Sequence, residues 1–285
     1  MKKEYFTISP NSIAVFLLVS IAWYLGTKEL IDTVSNFESQ WYWILLASAY
    51  SLTLNELFCH RICTHQLFKL DPSRITYKIL VFLLTVDLAW SPLTSMCLAH
   101  MNHHIYSDQG DKDNLNWRRY WYNICILSPI SYIYTAPSVY PNEDKFFAQQ
   151  KKKFADILDD TWTFFVEENR IILTVLFWLM LYVTIPIVLF KIILMGRVLM
   201  SIFMAMSTIG GHTKLPFSYR NYNTPDTTHN NLILHCLGFG IFSSMLHNNH
   251  HGNSNAFNYK ARWFEFDVGS CIIRLLKPLI EKIDK

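Results

Sequence analysis

The sequence predicts an all-α, polytopic membrane protein with four transmembrane helices and a helical cap on the cytoplasmic side. Three observations carry this. Long apolar runs recur at about 8–26, 39–58, 171–190 and 192–211. Charged residues make up 16% of the chain against 51% hydrophobic, where soluble domains carry roughly 25% charged residues. Eight of the 11 histidines crowd into three short tracts that must meet on one side of a membrane.

A helix crossing a ~30 Å hydrocarbon core needs about 20 apolar residues, which each run approaches. Residues 5–27 carry no charge. Lys2 and Lys3 ahead of them suit a signal peptide as well, but no small-residue cleavage site follows, so a retained helix is expected. The second run is uncharged over 39–55, and the third is bounded by Arg170 and Lys191. The fourth holds Arg197 near its start, where the side chain is expected to reach out to the interface. The loop after the first run carries Lys28 among Glu29, Asp32 and Glu38, whereas Lys145 and Lys151–Lys153 lie between the second and third runs. The excess of cations there places both termini and residues 56–170 in the cytoplasm. Two further apolar segments, 79–99 with Asp87 and Pro92 and 232–246 with His235, are expected not to span, Pro92 being a natural bend. Residues 1–285 then form a single domain. The six cysteines, Cys59, Cys63, Cys97, Cys125, Cys236 and Cys271, form no CxxC pair and read as small buried hydrophobes in a reducing compartment. A net charge of +3 gives no reason to expect a nucleic-acid partner.

The histidine tracts are HRICTH (His60, His65), HMNHH (His100, His103, His104) and HNNHH (His247, His250, His251). A uniform scatter would put fewer than one histidine in so few residues. On a helix, i, i+3 and i+4 share a face, so each of the last two tracts presents three imidazoles in one direction. The i, i+5 pair of HRICTH would sit about 140° apart on a regular helix, so these two rings serve different ions or the helix ends between them. Eight imidazoles are too many for one ion, since zinc as a rule takes four ligands, and two ions sharing the set is the simplest partition. Imidazole suits iron, zinc, copper or nickel alike.

HRxxTH, HxxHH and HNxHH in this order, among these spans, resemble the membrane-bound fatty acid desaturases. The likeness is greatest to the acyl-CoA (stearoyl-CoA-type) desaturases and their bacterial relatives. It runs from about residue 40 to 280 and includes SYRNYNTPD and RWFEFDVG. The resemblance implies a di-iron centre of nine histidines, with His212 of GGHTKLPFSYRNY as the ninth; zinc, which outcompetes ferrous iron at nitrogen sites, is expected to replace it in recombinant protein. His229 and His235 match no ligand position and read as a loop residue and a packing residue. All nine positions are kept, but several neighbours depart from the family. Met101 stands where relatives carry arginine, Thr208 where they carry asparagine, Ser244 where they carry glutamate, and Asp113, Asn114, Leu115 where they carry DPH. Thr208, four residues before His212, is expected to face the metals. One carboxylate among Asp108, Asp111 and Asp113 is expected to bond a ligand histidine. Arg220 and Asn221 are expected to hold the loop after His212 or a polar head group.

By the same resemblance the chain is an oxidoreductase that desaturates a fatty acyl chain, as acyl-CoA or acyl-lipid, with O₂ as cosubstrate. Its setting would be the bacterial inner membrane or the endoplasmic reticulum, with the active site cytoplasmic. With no HPGG-like segment and no cysteine cluster, electrons are expected from a separate carrier such as cytochrome b5 or a ferredoxin. Trp90, Trp117 and Trp263 are candidates for lining an apolar acyl tunnel, with packing or an interfacial belt as the alternative. Two other functions fit the same tracts: a fatty acyl or alkyl hydroxylase of the same architecture and, more remotely, a non-enzymatic membrane metal-binding protein.

Overall fold

The computed structural model describes residues 10–35, 41–87, 93–113, 152–238 and 245–283, and these are mostly helical. α1 (Pro10–Ser35) and α2 (Trp41–Leu52) come first, and α2 runs on as a π-helix over Thr53–Thr64. α3 (Ile75–Phe82) ends in a π-helical turn, Leu83–Asp87, before α4 (Leu93–Tyr106). Short α5 (Ala155–Leu158) and α6 (Thr161–Glu168) lead into α7 (Arg170–Thr184) and α8 (Ile187–Gly211). The strands β1 (Ser218–Tyr219) and β2 (Asn230–Asn231) pair antiparallel, and α9 (Leu232–Leu237), α10 (His247–Gly252) and α11 (Val268–Ile283) complete the described chain.

α8 lies along α2 and α1, burying Ile44, Ile192 and Met195. Gly196 permits this approach: a Cβ there would stand 2.5 Å from Ala47 Cβ and 2.9 Å from its backbone. The main core joins the α2 π-helix, α3, α4 and α6 through residues such as Leu52, Leu54, Tyr77, Leu84, Cys97 and Val166. By contrast α7 has no buried residue and exposes Ile172, Leu176, Leu179, Met180 and Val183. Among the described residues, α8 is the helix long and apolar enough to cross a membrane, and α7 is apolar but shorter.

Several expectations are corrected here. The break between the third and fourth runs falls at Ile185–Pro186, not around Lys191, which lies inside α8. Proline forces the residue before it to extended backbone, and Ile185 sits at φ −107°, ψ 153°. The first run continues as helix through Lys28, Glu29 and Asp32. Arg197 does not reach an interface. It is buried and holds Asp87 Oδ1 at 2.6 Å and the Ser51 hydroxyl, while Tyr50 donates to Asp87 Oδ2 at 3.0 Å. A cation among apolar helices is retained where partners stand at its own level, and the turn after α3 supplies one. Cys59, Cys63 and Cys97 are buried as expected, but Cys236 and Cys271 are exposed. Cys125, Trp90, Trp117, Pro92 and Ser244 lie outside the described residues. Of the two apolar segments expected not to span, 79–99 contributes parts of α3 and α4 and 232–246 contributes α9.

Candidate metal centre

Four segments bring the nine histidines together. His60 and His65 lie at the end of the π-helix, and His100, His103 and His104 on α4. His212 caps the C-terminus of α8, and His247, His250 and His251 lie on α10. They form two groups, in each of which the ligand atoms all lie within 4.8 Å of one another. One holds His60, His65, His100, His104 and His250; the other holds His103, His212, His247 and His251. The groups adjoin, with the rings of His104 and His251 4.4 Å apart.

Backbone winding explains this partition. The His65 N–H donates to the His60 carbonyl at 3.0 Å, a turn closed five residues back. That wider turn puts both rings on one side, their Nε2 atoms 3.2 Å apart, so they enter one group rather than two. In α4 and α10 the i, i+4 pairs stay together while the i+3 ring crosses to the other group. His103 and His104 are consecutive, about 100° apart around the helix, so they cannot point to one ion. The expectation that each tract presents all three rings one way is corrected accordingly.

The donor set fits metal ions. His60 Nδ1 contacts Glu56 Oε1 at 3.0 Å, His103 Nδ1 contacts Asp113 Oδ1 at 2.9 Å, His212 Nδ1 contacts Asp108 Oδ2 at 3.3 Å and His251 Nδ1 contacts Asp226 Oδ2 at 2.8 Å. A ring donating through Nδ1 leaves a bare lone pair on Nε2. With both Nδ1 atoms donating, the Nε2 atoms of His103 and His212 face each other at 3.2 Å as two acceptors, an arrangement a metal ion would reconcile, and His251 Nε2 is buried without a partner. Two nitrogens bound about 2.1 Å from one ion, at about 90–109°, stand about 3.0–3.4 Å apart. The Nε2 separations run from 2.8 Å for His212–His247 through 3.0 Å for His100–His104 to 3.1 Å for His60–His250.

Burial keeps seven of these rings in the form that binds metal. Burial, then neighbouring imidazoles, push His65, His100, His104, His247 and His250 well below the ordinary histidine value. Burial takes His251 down to about 3 despite Asp226. Burial works against the charged forms of Asp108 and Asp226, but bonds from His212 and Thr227, and from His251, Thr224 and Thr228, outweigh it and hold both carboxyls below their usual range. Metal-free protein should therefore lose stability as pH falls below 6.5, the ordinary value for His251. There the unfolded chain takes up protons that the buried rings refuse. Thermal unfolding of stripped protein at neutral and mildly acidic pH checks this; an unchanged Tm would contradict it.

Asp108, singled out in sequence, bonds His212 from a left-handed backbone at φ 63°. Asp113 is a second such partner where only one carboxylate was expected, and Asp111's side chain lies outside the described set. Arg220 and Asn221 reach no ligand directly. Arg220 donates to the carbonyls of Asp226 and Thr224, and Asn221 donates to Asn249 and Glu265, holding the loop around α10. Thr208 donates to the Met204 carbonyl of its own helix at 3.0 Å. His229 lies in a loop, buried His235 bonds the Phe266 carbonyl, and Trp263 is 88% exposed. Sequence reasoning missed Glu56 and Asp226. Glu56 was visible as a lone carboxylate four residues before His60, while Asp226 gave only its place in a familiar stretch.

Fold and site together define a mostly helical protein with a histidine-rich centre able to hold metal. The chain belongs to the fatty acid desaturase family, whose profile, Fatty acid desaturase, matches residues 39–261 and so takes in all nine histidines. No curated protein matches the chain. The family and the centre together indicate an oxidoreductase of the desaturase or hydroxylase type acting on a fatty acyl substrate.

Proposed function

We propose that this protein removes two hydrogens from adjacent carbons of a fatty acyl chain, as acyl-CoA or acyl-lipid. O₂ would be the cosubstrate, and a separate carrier would supply the electrons. The nine histidines would hold two iron ions. The observation that carries this reading is the pair of adjoining all-histidine groups in a chain of this family. Iron bound there would supply the oxygen chemistry that breaks an unactivated C–H bond, which no acid–base side chain can do. The protein's part is to place and protect the ligands. Glu56, Asp108, Asp113 and Asp226 fix four rings with Nε2 inward. Burial favours the neutral form of His65, His100, His104, His212, His247, His250 and His251. Lipid analysis of cells expressing the protein tests the reaction. A product two mass units lighter supports it, and a gain of one oxygen identifies a hydroxylase instead.

The membrane topology belongs to the same proposal: four spans, with 79–99 and 232–246 returning to the side they leave and both termini in the cytoplasm. Its support is that His60 in the π-helix, His100 in α4, His212 at the end of α8 and His247 in α10 come together in two adjoining groups. A cysteine at exposed Gln109, in a background without Cys236 and Cys271, should react with an impermeant reagent from the cytoplasmic side. Labelling from outside alone would refute it.

Gly211→Ala offers a local check on the ligand assignment. A Cβ at this position would stand 2.7 Å from the His247 ring. The rigid ring must move, so metal content should fall towards one ion per chain while fold is kept. Elemental analysis of the purified variant reads this directly.

A further inference from the structure

The two groups are unequally backed, and the inequality runs opposite to their size. In the four-histidine group, three rings give Nδ1 to a carboxylate: His103 to Asp113, His212 to Asp108 and His251 to Asp226. In the five-histidine group, among the described residues, His60 alone does so, to Glu56, and the buried Nδ1 atoms of His65 and His250 have no partner. The three carboxylates are themselves anchored. Asp108 accepts from the Thr227 N–H and hydroxyl, each at 2.8 Å. Asp113 accepts from the Asp108 N–H at 2.8 Å. Asp226 accepts from the Thr224 and Thr228 hydroxyls at 2.6 and 2.5 Å.

A carboxylate behind an imidazole fixes its tautomer and makes the other nitrogen a stronger donor. It also adds a negative charge close to the ion. A divalent ion in the four-histidine group would face three carboxylates, leaving that site net negative; in the five-histidine group it would face one, leaving it net positive. The fifth imidazole works the other way, but four nitrogens already satisfy an ion such as zinc, so its gain is smaller. Each outer partner is worth about 10–100-fold in metal affinity, so two additional ones decide the order.

We infer that the four-histidine group binds metal first and more tightly, and that Asp108, Asp113 and Asp226 are the positioning residues that make it so. The inference rests on the proposal that both groups hold metal ions.

Cobalt(II) titration of metal-stripped, full-length protein in detergent, in competition with a chromophoric chelator, tests it. Four-nitrogen cobalt absorbs strongly in the visible and five-coordinate cobalt weakly. The first equivalent should therefore give the intense spectrum and the second the weak one. Asp226→Asn keeps an oxygen for His251 and the threonines but removes the charge; it should weaken the first equivalent about 10–100-fold and spare the second. Glu56→Gln should weaken the second and spare the first. Should Asp226→Asn fail to fold, His247→Ala and His65→Ala should remove the tight and the weak class respectively. Two equal affinities, a weak spectrum first, or both carboxylate variants acting on one class would overturn the inference. Failure of the stripped wild type to bind any cobalt would overturn the metal-centre reading itself.

Discussion

His250→Ala is expected to abolish product formation. Its Nε2 stands 3.1 Å from that of His60, and its ring lies 4.5–5.7 Å from those of His65, His100 and His104. It is fully buried and so closes the five-histidine group from the α10 side. Removing it deletes a ligand and opens a gap where water can enter. The loss should far exceed the roughly 10–100-fold that an outer partner of a ligand costs. Acyl profiles of expressing cells should match those of cells without the protein, and metal content should fall towards one per chain with the fold intact. Undiminished product in this variant would sink the assignment of this group to the chemistry.

Asp267→Ala is expected to cause the largest loss of stability. Arg61, inside the first histidine tract, donates through both terminal nitrogens to the Asp267 carboxylate at 2.9 Å, and both side chains are fully buried. Arg61 also reaches the Phe257 carbonyl at 2.9 Å and lies 4.4 Å over the Tyr259 ring, which packs 4.9 Å from His250. The pair thus ties the π-helix to the segment behind α10. Taking one partner away leaves a buried charge uncompensated, which costs about 3–5 kcal/mol. Replacing both, as Arg61→Met with Asp267→Leu, should recover much of that, because no lone charge remains. Chemical or thermal unfolding in detergent distinguishes the outcomes; a double variant no better than Asp267→Ala would show that specific hydrogen bonds, rather than the lone charge, set the cost.

Much of the centre was legible in the sequence. Eight histidines announce themselves by clustering, and the resemblance adds His212; the structure brings all nine into the two groups. The apolar runs mark α1, α2, α7 and α8 well enough to name them, though Pro186 sets the real boundary between the last two. Thr208 shows what side-chain period leaves open, since it says nothing of which atom the hydroxyl bonds; His212 caps the helix with its N–H on the Thr208 carbonyl. The Thr208 hydroxyl turns back to Met204.

What the sequence determined by itself is composition and local period: which segments are apolar helices, and which residues are metal-binding in kind. Tertiary structure decided how the rings divide between two groups, which carboxylates back them, and what Arg197 pairs with. Asp108 and His212 are 104 residues apart, Asp87 and Arg197 110, and His60 and His250 190. Such pairs arise from packing between distant helices, and packing leaves no periodic mark on either partner. The His60–His65 pair was equally hidden, although it is local. Its register depends on a backbone hydrogen-bonded to the fifth residue back, and side-chain pattern alone assumes the commoner winding.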